Sequence, residues 1–287
     1  MSKRFYGWRP SPPDQRDRLY NVAPAVLAAL PPKVDLSVPS LPAPFEPALN
    51  QRSLGSCGPH SQAVDIIFSM LRQGAPSPKL PSVLFSYYCT RLLMGTVGSD
   101  SGVDNRSMLK ALAQFGWCDD ELWPYVIDRF REKPPQVCFE QAARRKAIEY
   151  LAVPQTLEQM RGCLASGDPF IFGFSVYESF ERASVEATGI VPMPSPLERL
   201  VGGHDVLMVG YDDATQRFKF KNSYGPGWGQ NGYGFIPYAF AASPRLAADF
   251  WTVRHVPVES APPPVPVSAT HTLTFSGSFT LDGKVYG

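Results

Sequence analysis

The sequence predicts an α+β chain of two lobes, one helical and one strand-rich. Between residues 57 and 150 apolar side chains recur mainly at helical spacing, whereas from 151 to 256 they fall in strand-length runs parted by turn residues. A chain of 287 residues is long enough to bury a core in one large domain or in two lobes that share an interface. Its 30 prolines and 23 glycines imply many irregular connections, the material of a cleft built from loops.

The first strong helical signal runs from Ser61 to Leu71, where Ala63, Ile66, Ile67, Met70 and Leu71 line one face. Ser56 is its expected N-cap, and Pro59 fits the first turn, where a missing N–H costs nothing. Cys57 therefore stands at the positive end of a helix, which favours the nucleophilic thiolate. Flanking Gly55 and Gly58 are expected to leave the sulfur open. Pro81 to Met94 reads as a second helix buried on most sides, Ser107 to Phe115 as a third capped by Asp104 or Asn105 and ended by Gly116, and Gln136 to Tyr150 as a fourth. Strands follow at Phe170–Val176, Asp205–Tyr211, Phe218–Lys221, Tyr233–Ile236 and Phe250–Val253, suggesting a small antiparallel sheet or barrel. Residues 257–268 form a proline-rich linker, and the tail beyond, with Asp282-Gly283, is expected to make a hairpin.

Charge and composition narrow the function. Lys+Arg 27 against Asp+Glu 26 gives a net charge of +1, which points away from nucleic acid and anionic membranes and toward a small-molecule or protein substrate. No apolar run reaches the roughly 18 residues of a membrane span. Five cysteines at irregular spacing, without a CxxC pair, read as free thiols in a reducing compartment, with no metal or other cofactor implied. Lys3 and Arg4 are not followed by an apolar stretch. A cytoplasmic protein, or one exported without a Sec signal peptide, is expected.

The segment Gln51-Arg52-Ser53-Leu54-Gly55-Ser56-Cys57 resembles the active-site segment of papain-family cysteine peptidases. Leu54 replaces the family's usual disulfide cysteine, and Gly58 the aromatic that normally follows the nucleophile. His204, in Gly202-Gly203-His204-Asp205 at an expected strand start, lies 147 residues beyond Cys57 (204 − 57), within the family's spacing of about 130 to 150. His60 is a rival base one helical turn from Cys57; His255 and His271 complete the four. Asn222 opens Asn222-Ser223-Tyr224-Gly225-Pro226-Gly227-Trp228-Gly229, which resembles the family's Asn-Ser-Trp-Gly segment with Tyr224 in place of tryptophan. It lies 165 residues past Cys57 (222 − 57), the excess matching a long irregular stretch from Ser184 to Leu200.

The resemblance spans about Lys33 to Val256 and is nearest to bacterial members with short N-terminal extensions. It implies a two-lobed fold, the helical lobe at about 57–150 and a barrel-like antiparallel lobe at about 151–256 plus 33–50, with the site in the cleft between them. It also implies a monomeric cysteine endopeptidase acting on proteins or peptides, with Cys57 as nucleophile, His204 as base, Asn222 orienting it and Gln51 as oxyanion donor. Gly102-Val103 would hold an extended peptide, Gly173 and Gly202-Gly203 would line a roomy pocket for a bulky apolar side chain two residues before the cut, Tyr224 and Trp228 would also contact substrate, and Tyr224 would shield the His204–Asn222 pair. Residues 1–32 are then a short pro-region over the cleft, as in a zymogen, or an arm packed elsewhere. The alternatives are an acyltransferase or deamidating enzyme using the same Cys/His/Asn set, and an inactive peptide-binding homologue.

Overall fold

A computed structural model describes residues 5–37, 49–75, 78–146 and 149–255, together with two short strands near the C-terminus. The proline-rich linker and most of the tail lie outside these residues. Of the expected hairpin, Phe279–Leu281 and Lys284–Tyr286 are paired antiparallel.

In chain order the helices are α1 (Pro24–Ala28), α2 (Cys57–Arg72), α3 (Val83–Leu93), α4 (Asn105–Phe115), α5 (Gln136–Ala142), α6 (Leu157–Ala165), α7 (Ala183–Thr188) and α8 (Tyr238–Ala241). Main-sheet strands are β1 (Lys33–Asp35), β2 (Glu149–Ala152), β3 (Phe170–Tyr177), β4 (Leu200–Asp212), β5 (Arg217–Lys221), β6 (Tyr233–Pro237) and β7 (Ala247–His255). Ser82 caps α3 and Asp104 caps α4, each side chain accepting from the backbone N–H three residues on. Two expectations need correction. The fourth helix stops at Ala142, and Glu149 and Tyr150 belong instead to β2, a short strand whose alternation a helical reading absorbed. The strand-rich lobe is not a closed barrel: its strands run in the open order β2-β7-β3-β4-β5-β6, with β1 added beside the far end of β4.

The long strand β4 joins the lobes. Its first part pairs with β3, setting Phe174 opposite His204 and Gly173 opposite Asp205, and its later part pairs with β5 and β1. Successive side chains of a strand point to opposite faces. Phe170, Phe172, Phe174, Val206 and Met208 accordingly fill the strand lobe's own core with Phe218, Phe220 and Trp228, while Ile171, Leu207 and Val209 join Ala63, Val83 and Phe85 of the helical lobe. Both faces of the sheet are apolar, which accounts for the near-continuous hydrophobic runs in β3 and β4. Helix α2 packs on β4, and Cys57, which opens α2, lies beside Asp205 of β4.

Residues 1–32 do not behave as one surplus unit. Tyr20 and Val22 are buried in the strand-lobe core, and Arg18 and Tyr20 hydrogen-bond through their backbones to Ala152. Of the described residues, those from Phe5 to Asp17 lie along the cleft side.

Candidate active site

Cys57 opens α2, where the orphan N–H groups of a first turn lie. Ser56 takes the N-cap position but makes no side-chain cap; its hydroxyl bonds Tyr125 Oη at 2.7 Å. His60 belongs to the same buried cluster. Its Nδ1 lies 2.9 Å from the Ser56 carbonyl oxygen and its ring meets the edge of Tyr125 at 4.9 Å. With Tyr125 Oη donating to the Gln51 carbonyl at 2.9 Å, these groups brace the loop ahead of Cys57. His60 Nδ1 is thereby engaged by Ser56.

His204 is the fifth residue of β4, not its first as expected, because the strand extends back through the exposed Leu200 and Val201. Its Nε2 lies 2.8 Å from Asn222 Oδ1. The Ser223 N–H also donates to that oxygen, at 2.8 Å, which fixes the amide with its carbonyl toward the ring. An oxygen has no proton to give, so Nε2 carries one, and in the neutral ring Nδ1 is the basic nitrogen. Tyr224 stacks on the imidazole at 4.9 Å and 20°, and Trp228 meets Tyr224 edge-on at 5.9 Å. His204 and Asn222 are 0% and 2% exposed, so their bond is held in a dry setting that strengthens it.

Gln51 is fixed on both ends. Its Oε1 accepts from Ser223 Oγ at 2.6 Å, and its Nε2 donates to the carbonyl oxygens of Leu54 at 3.0 Å and Phe5 at 2.9 Å. The Phe5 contact shows what covers the site. From Phe5 to Arg9 the N-terminal arm runs through the cleft, its Gly7 N–H close enough to Cys57 to favour the thiolate. The Val103 N–H donates to the Gly7 carbonyl at 2.7 Å, the Arg9 N–H to the Val103 carbonyl at 3.0 Å, and the Trp8 N–H to the Gly203 carbonyl at 3.0 Å. Trp8 and Val103 form a parallel bridge.

Glycines make this fit possible. A Cβ on Gly173 would stand 1.8 Å from the Trp8 indole, one on Gly203 2.7 Å from it, and one on Gly202 2.7 Å from Tyr6 Cβ. Trp8 is left 7% exposed. Further along, Arg106 forms a two-pronged ion pair with Asp17, its Nε donating to Oδ1 at 2.8 Å. Ser11 Oγ donates to Asp249 Oδ2 at 2.8 Å.

The arm changes the electrostatics. Cys57 was expected to be open and acidic, but it is fully buried, and burial with the nearby Asp205 carboxyl pushes its pKa up to about 12 against the pull of the Gly7, Asp205 and Gly58 N–H groups. Asp205, directly after His204 and also fully buried, is raised well above the carboxylate range by desolvation, which Ser61 and Asn105 offset only in part. Sequence reasoning missed Asp205, Asp249 and the arm residues Phe5, Gly7 and Trp8. The signal for the last was Tyr-Gly-Trp, an aromatic and glycine cluster in an otherwise polar, proline-rich segment.

Comparison with known proteins agrees with this geometry. Residues 30–241 match the family model described as papain family cysteine protease. An uncharacterized peptidase C1-like protein of Acanthamoeba polyphaga mimivirus is 35% identical over 276 residues, 88% of each chain. The crystal structure of xylellain, a cysteine protease from Xylella fastidiosa, superposes with a TM-score of 0.82 at 36% identity, covering 90% of this chain and 99% of that one. Procathepsin B of Trypanosoma congolense, at 17% identity and a TM-score of 0.63 over 81% of this chain and 80% of its own, shares the fold. The match runs through both lobes and across the cleft between them, and the chain belongs to the papain family of cysteine proteases.

Proposed function

We propose that this cysteine peptidase cuts peptide bonds with Cys57, His204 and Asn222, and that its own N-terminal arm holds it latent. His204 Nδ1 takes the thiol proton, giving a thiolate and imidazolium pair at the start of α2. The sulfur adds to the peptide carbonyl carbon, and the oxyanion is met by the Cys57 N–H and the Gln51 side-chain amide. His204 then gives its proton to the leaving amine as the C–N bond breaks, leaving a thioester. Water, deprotonated by His204, hydrolyses the thioester and restores the thiol. Asn222 keeps Nε2 protonated throughout, and Tyr224 and Trp228 keep water from that bond.

Gly102-Val103 and Gly203 bind the substrate backbone, and Gly173 with Gly202-Gly203 bounds the pocket for the side chain two residues before the cut. The arm's own hydrogen bonds to Val103 and Gly203 support this assignment.

One observation carries the latency. The Phe5 carbonyl occupies the Gln51 amide, the oxyanion donor of the mechanism above, and Cys57 is left fully buried. Incubation with a thiol-directed epoxide and a fluorogenic dipeptide tests the reading. Slow labelling and hydrolysis that rise together when the arm is displaced, and vanish with Cys57→Ala, are expected. Labelling without hydrolysis of any peptide would remove the peptidase mechanism.

A further inference from the structure

Gly55 stands two residues before Cys57, in the turn that carries Gln51 and the nucleophile. Most of this turn bonds to itself: the Leu54 N–H donates to the Gln51 carbonyl at 3.2 Å, the Ser56 N–H to the Leu54 carbonyl at 2.8 Å, and the Gln51 amide to that same carbonyl at 3.0 Å. The Gly55 N–H is directed elsewhere. It donates to the Asp100 carboxylate, 3.1 Å from each oxygen. Residue 54 is leucine and all five cysteines are free, so no disulfide ties this turn to the rest of the lobe.

The carboxylate belongs to a longer chain of bonds. Tyr87 Oη, on α3, donates to Asp100 Oδ1, and the Gly102 N–H donates to Tyr87 Oη at 3.1 Å. Burial and the Asp100 carboxylate push the Tyr87 pKa up, so the phenol keeps its proton and the direction of its bond is fixed. Every donor thus runs toward one anion. Bonds aligned in this way strengthen one another, and those to a charged acceptor are the strong ones. Gly102 has φ +66, a glycine conformation that sends its N–H to Tyr87 while the N–H and carbonyl of the next residue, Val103, meet the peptide in the cleft. Arg91 is fully buried with its guanidinium 4.0 Å from the centre of the Tyr87 ring. Its Nη1 donates to the carbonyls of Val97 at 2.7 Å and Ser99 at 3.0 Å, which stiffens the loop that presents Asp100.

We propose that Asp100 and Tyr87 are positioning residues for peptide hydrolysis. Through one hydrogen-bonded chain they tie the turn that carries the oxyanion donors to the loop that binds the substrate backbone. This rests on the peptidase reading given above. The donors, the Cys57 N–H and the Gln51 amide, must stand about 2.7–3.1 Å from an oxygen whose charge develops only as the carbonyl is attacked. A small shift of the turn therefore loses stabilisation that belongs to the transition state alone, and kcat falls while KM does not. Alkylation of Cys57 by iodoacetamide, in which sulfur displaces iodide, develops no oxyanion and draws on neither donor.

The test uses the full chain carrying Gly7→Val, whose side chain has no room beside the Gly55 backbone, so that the arm leaves the cleft. In that chain Asp100→Ala is expected to lower kcat for a fluorogenic peptide about tenfold with KM within about twofold, as for loss of a charge-assisted hydrogen bond. Asp100→Asn, which keeps an oxygen for the Gly55 N–H, should lower it about threefold, and so should Tyr87→Phe. Alkylation of Cys57 by iodoacetamide should keep the parent rate in all three. Because the two residues act through one chain, Tyr87→Phe combined with Asp100→Ala should lose no more kcat than Asp100→Ala alone. Parallel falls in kcat and in alkylation would mark a general loosening of the lobe and overturn the proposal. An unchanged kcat, or single effects that multiply in the double variant, would overturn it too while leaving the peptidase intact. Asp100 is exposed, so its replacement empties no core, and the asparagine variant carries the same comparison if the alanine chain does not fold. Hydrolysis of no peptide by the Gly7→Val parent itself removes the peptidase reading and this one with it.

Discussion

Gly7 is the most exposing place to perturb the arm. A Cβ built there lies 1.9 Å from the Gly55 carbonyl oxygen and 2.3 Å from its carbon, both backbone atoms of the loop that delivers Cys57. On the other side the Gly7 carbonyl oxygen stands 2.0 Å from where a Cβ on Gly102 would be. No side chain in this contact can move aside. Gly7→Val therefore cannot keep the arm in place, and the closed state must give way. The gain is bounded by what holds the arm. Burying an indole removes about 150–250 Å² from water, worth about 4–6 kcal/mol at about 25 cal/mol/Å² before the cost of ordering the arm. At about 1.4 kcal/mol per decade, the open population can rise by no more than about 10³- to 10⁴-fold, and a net rise of at least tenfold is expected. Epoxide labelling of Cys57, followed by mass spectrometry on parent and variant, reads this directly. Equal labelling rates in the two proteins, with circular dichroism unchanged, would refute the account of latency.

Four further outcomes follow from the same geometry. Arg106→Ala removes the ion pair with Asp17 and the bond to the Pro12 carbonyl, and should speed Cys57 labelling about five- to fiftyfold without the steric clash; no acceleration would confine the latch to residues 5–9. The closed form prefers the protonated thiol, whose pKa lies near 12, so Cys57's contribution to closure is full below the open-form pKa and lost as pH rises above it. Labelling of the parent should thus still climb at pH 10 while the Gly7→Val curve has levelled off; matching curves would deny the coupling. Gln51→Ala in the Gly7→Val chain should lower kcat by about 10²- to 10³-fold, with some loss of thermal stability because its Oε1 also holds Ser223. Phe172→Ala, which empties the middle of the strand-lobe core, should cost about 3–5 kcal/mol in urea unfolding.

The helical lobe was legible because its periodicity is strict: the helices read from Pro81 and from Ser107, the latter behind an Asp104 or Asn105 cap, start within two residues of those positions, with Asp104 as the cap. Motif and spacing picked out Gln51, Cys57, His204 and Asn222; the structure bonds His204 to Asn222 and Gln51 to Ser223, and sets Cys57 beside Asp205, the residue after His204. Charge-rich Arg144-Arg145-Lys146 extended the fourth helix on paper, but Arg145 turns inward to pair with Asp119 at 2.6 Å, and the chain turns into β2 instead of continuing the helix. The strand runs predicted an antiparallel sheet or a barrel-like lobe but left closure open, since they do not say whether the last strand meets the first. The bonds by which Asp100 and Tyr87 hold the Gly55 and Gly102 N–H groups were invisible because a backbone donor leaves no mark in composition. The state of Cys57 was misjudged for a related reason. A helix terminus is a local property, whereas burial depends on a segment some fifty residues away.

The pairing of Arg18 and Tyr20 with Ala152, and the seating of Tyr20 and Val22 in the core, have a kinetic consequence. An arm released from the cleft remains tied down about ten residues from Trp8. A short tether of that kind holds its end at an effective concentration in the millimolar range. Reclosure is then a first-order event that does not slow on dilution, so a substrate competes with a fixed local concentration of the enzyme's own chain. Activity should consequently depend on substrate concentration but not on enzyme concentration, and cutting the tether between Ser11 and Arg18 would convert that standing competition into permanent release.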